Sequence, residues 1–450
     1  MNSLRANKRV KLAIALMAAS GLALTLLAFW PGYLTNDATY VYGFIKEWRF
    51  GDWQSPLMSM LWWLIDPIAP GPGSMLLLIA CLYWLGFALV ALAVARRSVW
   101  IGLAVPVLAL MPPAIMLLAM IWRDMLFAVA WLVAGAIVYV TVPASRGRWV
   151  AQAIALALVG FGVLLRPTAI VAAPLIAAYV LWPVRFDWKR TALVFVPGVV
   201  LGYALIHLVY YVVLDVKREN PGHSLFVFDL GGITHFTGEN QFPVTWNAEQ
   251  TALLTSTCYN PERWDVYWTL EPCRFVMQRL EAPGDVIFGT TRLRDAWLKA
   301  ITAHPLAYLQ HRLAYFWTFL SDANLTLELY QVDDPARTPL ARSSAFKTVL
   351  ALHDALKTTI LFRTGFWLLA AILLAAAGWR SRATPSGAFA IGMAASGTAV
   401  VVSFLPFGVA CDFRYGYWCV PAVLAGLGAA LVAPREHDLV ADPGAVRATA

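Results

Sequence analysis

The stretch that decides the fold is the apolar run LAIALMAASGLALTLLAFW, residues 12–30, followed by the loop NDATYVYGFIKEWRFGDWQSPLMSMLWW, residues 36–63. About 20 apolar residues cross the hydrocarbon core of a bilayer as a helix, so the run predicts a membrane span. The loop places acids and aromatic residues at the membrane surface, which a simple connector between two spans does not need. We therefore expect this loop to form the floor of a functional site.

The composition of the whole chain is that of a helical membrane protein. Of its 450 residues, 60% are hydrophobic and 13% are charged, about half the charged fraction of an average soluble domain. A backbone in lipid must satisfy its own hydrogen bonds, so the repeated apolar runs predict helices. The net charge of +8 does not indicate nucleic acid, because the basic residues lie mostly in short connectors, where they set topology. We expect an all-α polytopic membrane protein whose main surroundings are the lipid bilayer.

The apolar runs predict about ten spans, near 12–31, 74–95, 99–121, 125–142, 149–165, 168–183, 191–214, 360–379, 386–406 and 417–433. Connectors rich in Arg or Lys face the cytoplasm. This rule places both termini in the cytoplasm and the first loop outside. The predicted location is the inner membrane of a bacterium, with many passes.

The predicted spans divide the chain into four parts: 1–214, with the first outer loop at 32–73, then 215–345, 346–435 and 436–450. The second part is rich in acids and aromatic residues, which predicts a small mixed periplasmic domain; the last is a cytoplasmic tail. Apolar residues at helical spacing over 292–320 predict one or two amphipathic helices against the outer leaflet. Short membrane-surface helices are predicted in the first loop at 38–50 and 56–65.

By this topology, polar residues from distant parts of the chain share the outer face. They are Asp37, Asp52, Trp53 and Gln54 in the first loop, Arg123 and Asp124 before the fourth span, Arg166 after the fifth, and Asp412 and Arg414 before the last. Ionisable groups near membrane depth are costly and usually face a cavity or one another. One arginine can bind two phosphate oxygens through paired hydrogen bonds, and a carboxylate can deprotonate a hydroxyl. Acids beside arginines at one face therefore indicate a lipid-phosphate substrate.

These motifs resemble those of the bacterial GT-C glycosyltransferases, the polytopic enzymes that include the protein mannosyltransferase-like and the lipid A- or arabinose-transferring groups. The resemblance rests on Asp37 just after the first span, the WQSPL turn from Trp53, the Arg123-Asp124 pair, the Arg166-Pro167 hairpin and the DFRY segment from Asp412. It covers residues 1–190 and 412–421 best.

The resemblance implies an enzyme that transfers a sugar from a polyprenyl-phosphate donor to an acceptor hydroxyl on a lipid, a glycan or a protein, on the periplasmic side. Asp37 would be the base, and the anomeric carbon would be inverted. Arg123, Asp124, Arg166, Arg414, Gln54, Asp52 and Trp53 would bind substrate. No cofactor is predicted, because Asn36 stands where many members have a second acid, which gives a divalent metal no support.

Each of these residues also has a structural interpretation. Asp37 suits a helix N-cap, Asp52 a turn, and Asp124 an ion pair with Arg123. Arg166 suits an anchor that reaches to the interface, and Arg414 an aromatic belt. The alternative functions are a surface-polysaccharide polymerase or ligase, a transporter or flippase of lipid-linked substrates, and a scaffold without catalysis. A scaffold predicts that the outer residues do not converge.

Cys258 and Cys273 lie close together in the sequence of the predicted outer domain. The periplasm is oxidising, so we expect them to form a disulfide. Closing a loop of this size stabilises the fold by roughly 3 kcal/mol. The seven histidines show no ligand spacing, so the sequence predicts no metal site.

Overall fold

The structure, a computed structural model, describes residues 2–142, 147–322 and 344–434. Within those ranges all regular elements are helices, and β-pairing is limited to isolated bridges. The prediction of an all-α fold is confirmed. Part of the predicted periplasmic domain, 323–343, and the predicted tail, 436–450, lie outside the described residues.

The α-helices are α1 Asn2–Phe29, α2 Asn36–Glu47, α3 Pro56–Ile65, α4 Gly73–Val94, α5 Val99–Leu108, α6 Pro112–Ile115, α7 Arg123–Thr141, α8 Arg148–Leu165, α9 Ala173–Leu181, α10 Trp188–His207, α11 His223–Thr237, α12 Ala248–Ser256, α13 Val266–Thr269, α14 Phe275–Leu280, α15 Thr291–Ala303, α16 Pro305–Ser321, α17 Ser344–Leu356, α18 Thr364–Trp379, α19 Pro385–Phe407 and α20 Cys419–Ala430.

Six helices in the described residues are long and apolar enough to cross a membrane: Lys8–Phe29, Gly73–Val94, Arg123–Thr141, Arg148–Leu165, Trp188–Val213 and Pro385–Phe407. A seventh span forms if Val99–Leu108 and Pro112–Ala119, which meet at 58°, are counted together. Proline lacks an amide hydrogen and clashes with the preceding turn, so Pro112 explains why this span is broken. These seven correspond to the predicted spans one to five, seven and nine.

The other three predicted spans contain shorter helices. The sixth consists of a 3-10 helix, Pro167–Val171, followed by α9 with 9 residues. The eighth contains α18 with 16 residues and the tenth contains α20 with 12. At about 1.5 Å per residue, each of these α-helices is shorter than a hydrocarbon core of about 30 Å. The total of ten spans therefore stays a prediction.

The first loop contains the two short helices expected there, α2 and α3. Ser55 begins α3, because its Oγ accepts a hydrogen bond from the backbone N of Met58 at 3.3 Å, and Pro56 occupies the first turn, where its missing amide hydrogen costs nothing. The same Ser55 Oγ donates to the carbonyl of Leu164 at 3.1 Å. This hydrogen bond attaches the loop to the end of α8 and so fixes the position of the loop along the membrane helices.

The described part of the predicted outer domain contains α11 to α16 and loops, without a strand, so the mixed character expected for this domain is not found in those residues. The amphipathic stretch forms two helices, α15 and α16, which meet at His304. Their buried apolar residues belong to the same core as the membrane helices. Cys258 and Cys273 are joined by a disulfide. The helices α11 to α16, which we call the outer helices, therefore pack onto the membrane helices and share their core.

Candidate active site

A polar cavity of about 310 Å³ lies where α2 and α7 begin and where α19 has just ended. Its lining comes from four separate parts of the chain: Thr35, Asn36, Asp37, Trp122, Glu262, Arg263, Asp265, Ala410, Cys411, Asp412, Arg414 and Tyr415. Four of these residues are acids and two are arginines. The cavity therefore has both proton acceptors and cations at its surface.

Asp37 lies in the first turn of α2 and lines the cavity. The N-cap of this helix is Thr35, whose side chain accepts a hydrogen bond from the backbone N of Ala38 at 3.4 Å. The helix therefore does not use Asp37 as its cap. Instead, Asp37 Oδ2 accepts a hydrogen bond from Arg414 Nη1 at 2.7 Å, and 41% of the Asp37 side chain is exposed. Its carboxylate is both oriented and accessible.

Arg414 is held between two carboxylates. Its Nη1 contacts Asp37, and its Nε lies 3.0 Å from Asp412 Oδ2. The guanidinium also lies over the ring of Trp122, 4.4 Å from the ring centroid. Asp412 is fixed in turn, because its Oδ1 accepts the backbone N–H of Arg414 at 2.9 Å and caps the 3-10 helix Phe413–Gly416. Only 15% of the Arg414 side chain is exposed, so Arg414 is part of the cavity wall and not a surface anchor.

The acids of the cavity differ in their pKa values. Burial raises the pKa of Asp37, but Arg414 and then Arg123 lower it by more, so it lies below its usual value. Burial raises the pKa of Asp412 and of Asp265, and the attraction of nearby arginines does not cancel this effect. Of these three aspartates, Asp37 is therefore the one that stays ionised to the lowest pH. Groups with pKa values pushed apart by their surroundings can take different roles in one site.

Asp124 and Arg166 form a buried ion pair behind the cavity. The partner of Asp124 is thus Arg166, and not the adjacent Arg123. Arg166 follows α8, and its guanidinium lies 4.8 Å from the ring centroid of Tyr415, which lines the cavity. Because Arg166 is only 5% exposed, it does not reach to the interface as an anchor would. The pair supports the cavity wall from inside.

The remaining predicted residues do not line the cavity. Arg123 Nη1 donates to the carbonyl of Trp53 at 3.2 Å, and Gln54 is buried. The carboxylate of Asp52 accepts hydrogen bonds from Tyr211 Oη at 2.8 Å and from the backbone N of Glu219 at 2.6 Å. Asp52 therefore ties the first loop to the chain after α10. The structure brings Asp37 and Arg414 into direct contact and leaves Asp52, Trp53 and Gln54 outside the cavity.

The sequence reasoning missed the contribution of 262–265 to the cavity. Glu262, Arg263 and Asp265 line it together with the turn that follows α19. The two segments pair as short antiparallel backbone, with a bridge between Arg263 and Ala410. The signal that could have found them is the ERWD sequence directly after Pro261, which places three charged side chains in an aromatic-rich segment.

A buried polar cluster holds the turn 408–412 in place. Asp229 of α11 pairs with His311 and Arg312 of α16, and all three side chains are buried. Arg312 Nη1 donates to the carbonyl of Gly408 at 2.6 Å. One turn further along α16, Tyr315 Oη donates to the carbonyl of Ala410 at 3.1 Å. The outer helices therefore fix the segment that carries Asp412 and Arg414.

The acids of the cavity are not arranged as a metal site. Among the described residues, no three His, Cys, Asp or Glu side chains are placed to hold a metal ion. Asp37 and Asp412 each have an oxygen paired with Arg414 instead. The cation that these two carboxylates share is thus a guanidinium.

Comparison with known proteins gives one similar solved structure. No family model matches the chain, and no curated protein matches it. The chain is similar to the crystal structure of the Archaeoglobus fulgidus oligosaccharyltransferase tethered with an acceptor peptide that contains the NVT sequon. The identity is 15% and the TM-score is 0.40, over 92% of this chain and 48% of that one. This chain spans about half the length of the protein it matches, and a similarity at this level supports no activity or residue role.

Proposed function

We propose that the chain is an integral membrane glycosyltransferase of the GT-C type. It transfers a sugar from a polyprenyl-phosphate sugar to an acceptor hydroxyl on the periplasmic side of the membrane. The observation that carries the proposal is the contact of Asp37 with Arg414 at a polar cavity where α2 and α7 begin. This contact joins a base and a phosphate-binding group that are far apart in the sequence. The motif resemblance supplies the class of donor.

In the proposed reaction, Asp37 accepts the proton of the acceptor hydroxyl. The acceptor oxygen forms a bond to the anomeric carbon of the sugar while the bond from that carbon to the phosphate oxygen breaks. The electron pair of that bond leaves with the polyprenyl phosphate. Attack from the side opposite the leaving group inverts the anomeric carbon.

Arg414 is the best placed of the three candidate arginines to bind the donor phosphate. It lines the cavity, whereas Arg166 is buried against Asp124 and Arg123 is bonded to the carbonyl of Trp53. A phosphate oxygen would compete with Asp37 for its guanidinium, since both are anionic acceptors. Binding of the donor would then weaken the hold of Arg414 on Asp37 and make that carboxylate a stronger base. The charge that develops on the leaving phosphate would be stabilised by the same arginine.

The other predicted residues take supporting roles in this proposal. The positive charge of Arg123 lies near the cavity and lowers the pKa of Asp37, and the Asp124–Arg166 pair supports Tyr415. Binding of substrate by Trp53 stays a prediction. Its ring packs against Trp264 and Trp268, with centroids 6.0 and 5.3 Å away, so the aromatic surface that a sugar would contact comes partly from the outer helices.

The test is transfer by the purified protein from polyprenyl-phosphate sugars. We expect Asp37→Asn to lower the transfer rate by about 100-fold or more, which is the usual contribution of a general base. The matched control is Glu47→Gln, which removes an exposed acid at the other end of the same helix and should leave the rate unchanged. Full transfer by Asp37→Asn would rule out Asp37 as the base.

A second experiment tests the class of reaction without a reconstituted assay. A deletion strain should accumulate one polyprenyl-phosphate sugar, and the identity of that lipid would name the donor. An unchanged profile of lipid-linked sugars would contradict the glycosyltransferase proposal itself.

A further inference from the structure

A second cavity, of about 220 Å³, lies at the other end of α8. It is lined by Arg148, Trp182, Val184, Arg185, Asp187 and Arg190. These residues come from the start of α8, the loop after α9 and the first turn of α10. None of them has a part in the proposed transfer reaction.

The two cavities are separated by the length of a membrane span. α8 begins at Arg148, in the second cavity, and Arg166 directly follows its last residue, behind the first cavity. Its 18 residues correspond to about 27 Å of helix, close to the hydrocarbon thickness of about 30 Å. The arginine-lined cavity therefore opens at the membrane face opposite Asp37. A donor lipid whose phosphate lies beside Arg414 cannot reach it.

The second cavity has an excess of positive charge. It has three arginines and one acid, and Asp187 pairs with Arg190 at 3.6 Å. Within the described part of the chain, the side chains of Arg148 and Arg185 form neither an ion pair nor a hydrogen bond with protein. Two guanidinium groups without a protein anion favour a phosphate ligand, whose oxygens match their paired donors.

The surroundings place this cavity at the level of lipid headgroups. Trp149 and Trp188 flank it in the sequence and are 73% and 58% exposed, as tryptophans are at a membrane interface. Beyond the cavity, α10 presents exposed apolar side chains, including Leu193, Val196 and Val200. Exposed apolar residues along a span-length helix are a surface for acyl chains. A polar pocket that continues into such a surface matches both halves of a phospholipid.

We propose that this cavity binds an anionic phospholipid, with its phosphate between Arg148 and Arg185 and its acyl chains along α10. Charge complementarity favours an anionic lipid such as phosphatidylglycerol over phosphatidylcholine, whose choline would meet the same arginines. This site is independent of the glycosyltransferase proposal, since it needs no sugar and lies at the other face. A lipid held here would fix the ends of α8, α9 and α10 relative to one another.

The test measures binding of phosphatidylglycerol to the full-length protein in neutral detergent by native mass spectrometry. Replacing both Arg148→Gln and Arg185→Gln should weaken binding about 30-fold, or about 2 kcal/mol at 1.4 kcal/mol per tenfold, with about half from each arginine. The matched control is Arg96→Gln with Arg97→Gln. It removes two exposed arginines from the connector after α4, outside the cavity, and should change binding less than threefold.

Three outcomes would overturn the proposal. The first is unchanged binding of phosphatidylglycerol in the Arg148/Arg185 variant, and the second is equal binding of phosphatidylcholine by the wild-type protein. The third is binding of soluble glycerophosphoglycerol as tightly as the lipid, which would make the ligand a soluble phosphodiester and not a membrane lipid. All four replaced side chains are at least partly exposed, so both variants should fold, and thermal unfolding in the absence of lipid checks this.

Discussion

At the scale of single residues, the charge of the first cavity is organised by Arg414. One guanidinium contacts Asp37 and Asp412 through different nitrogens. The planar guanidinium of arginine has several nitrogen donors in a fixed geometry and can bind two carboxylates in this way. The single ammonium group of lysine cannot reproduce this geometry. Arg414 thus neutralises part of the charge of both acids, while each acid keeps a different role.

Replacing Arg414 should change the pH dependence of transfer. Burial raises the pKa of Asp37, and Arg414 is the strongest influence that lowers it. Since a general base acts only when ionised, the rate falls as the pH drops through its pKa. Arg414→Gln removes the lowering influence, so the acidic limb of the pH–rate profile should move to higher pH.

The profile is measured as kcat/KM against pH, with Arg49→Gln as the control. Arg49 lies in the same loop and, among the described residues, forms its ion pair with the exposed Glu47 alone, so its removal should leave the acidic limb in place. An acidic limb that does not move in Arg414→Gln would mean that Asp37 is not the group whose titration limits the rate.

The sequence predicts Asp37 and Arg414 as site residues because ionisable groups near membrane depth are costly and usually face a cavity or one another. It does not identify their partners. The pairing of Asp124 with Arg166 and the entry of Asp265 into the cavity depend on how distant helices pack. Local rules describe neighbours along the chain, so they favoured Arg123 as the partner of Asp124.

At the scale of elements, the turn 408–412 is stabilised from two directions. The backbone of 262–264 pairs with it on one side, with Trp264 N donating to the carbonyl of Val409 at 2.9 Å. α16 holds it on the other side through Arg312. Burial lowers the pKa of His311, and the attraction of Asp229 does not cancel this effect, so the imidazole is neutral at pH 7. The buried charges that remain are those of Asp229 and Arg312.

Arg312→Met should destabilise the protein strongly. It leaves Asp229 buried without its cation and the carbonyl of Gly408 without its donor, and breaking a buried pair in this way costs about 3–5 kcal/mol. Arg294→Met is the control, because Arg294 forms an exposed pair with Asp295 worth less than about 1 kcal/mol. Thermal unfolding in detergent compares them, and equal melting temperatures would show that the buried cluster does not stabilise the fold.

The disulfide stabilises the outer helices by closing a short loop. Replacing Cys258 and Cys273 with Ser should lower the free energy of unfolding by about 3 kcal/mol. Cys81→Ser, at a free thiol, should have little effect on the same measurement. If reducing the wild-type protein leaves its unfolding unchanged, the disulfide contributes no such stability.

Helix positions were predicted well where a run of apolar residues faces lipid or a large core, as in α4 and α19, because hydropathy alone defines such segments. Prediction was less complete near 167–181. There Pro167 and Pro174 divide one apolar run into a 3-10 helix and the short α9. Hydropathy measures how apolar a run is, and not whether its backbone continues as one α-helix.

At the scale of the whole molecule, the two cavities described above lie near opposite ends of α8, and the proposed topology assigns one to the periplasm and the other to the cytoplasm. This orientation can be tested with single cysteines in a background without Cys81, Cys411 and Cys419. Glu239→Cys, at an exposed position just after α11, should react with a membrane-impermeant thiol reagent in intact cells with a permeable outer membrane.

Arg97→Cys, exposed in the connector after α4, should react only after the inner membrane is opened. Labelling at both positions in intact cells would contradict the assignment of the two faces. The reverse pattern would place the cavity of Asp37 in the cytoplasm and exclude a periplasmic reaction.

The bonds from Arg312 and Tyr315 to the backbone of 408–410 also limit how such an enzyme can be redesigned. Residues 215–322 cannot be exchanged as a cassette, because a chimera with foreign outer helices would lose the donors that shape the turn. A graft that preserves chemistry has to include 408–414 along with the outer segment. The smallest exchangeable unit is therefore discontinuous in sequence, although it is a single piece in space.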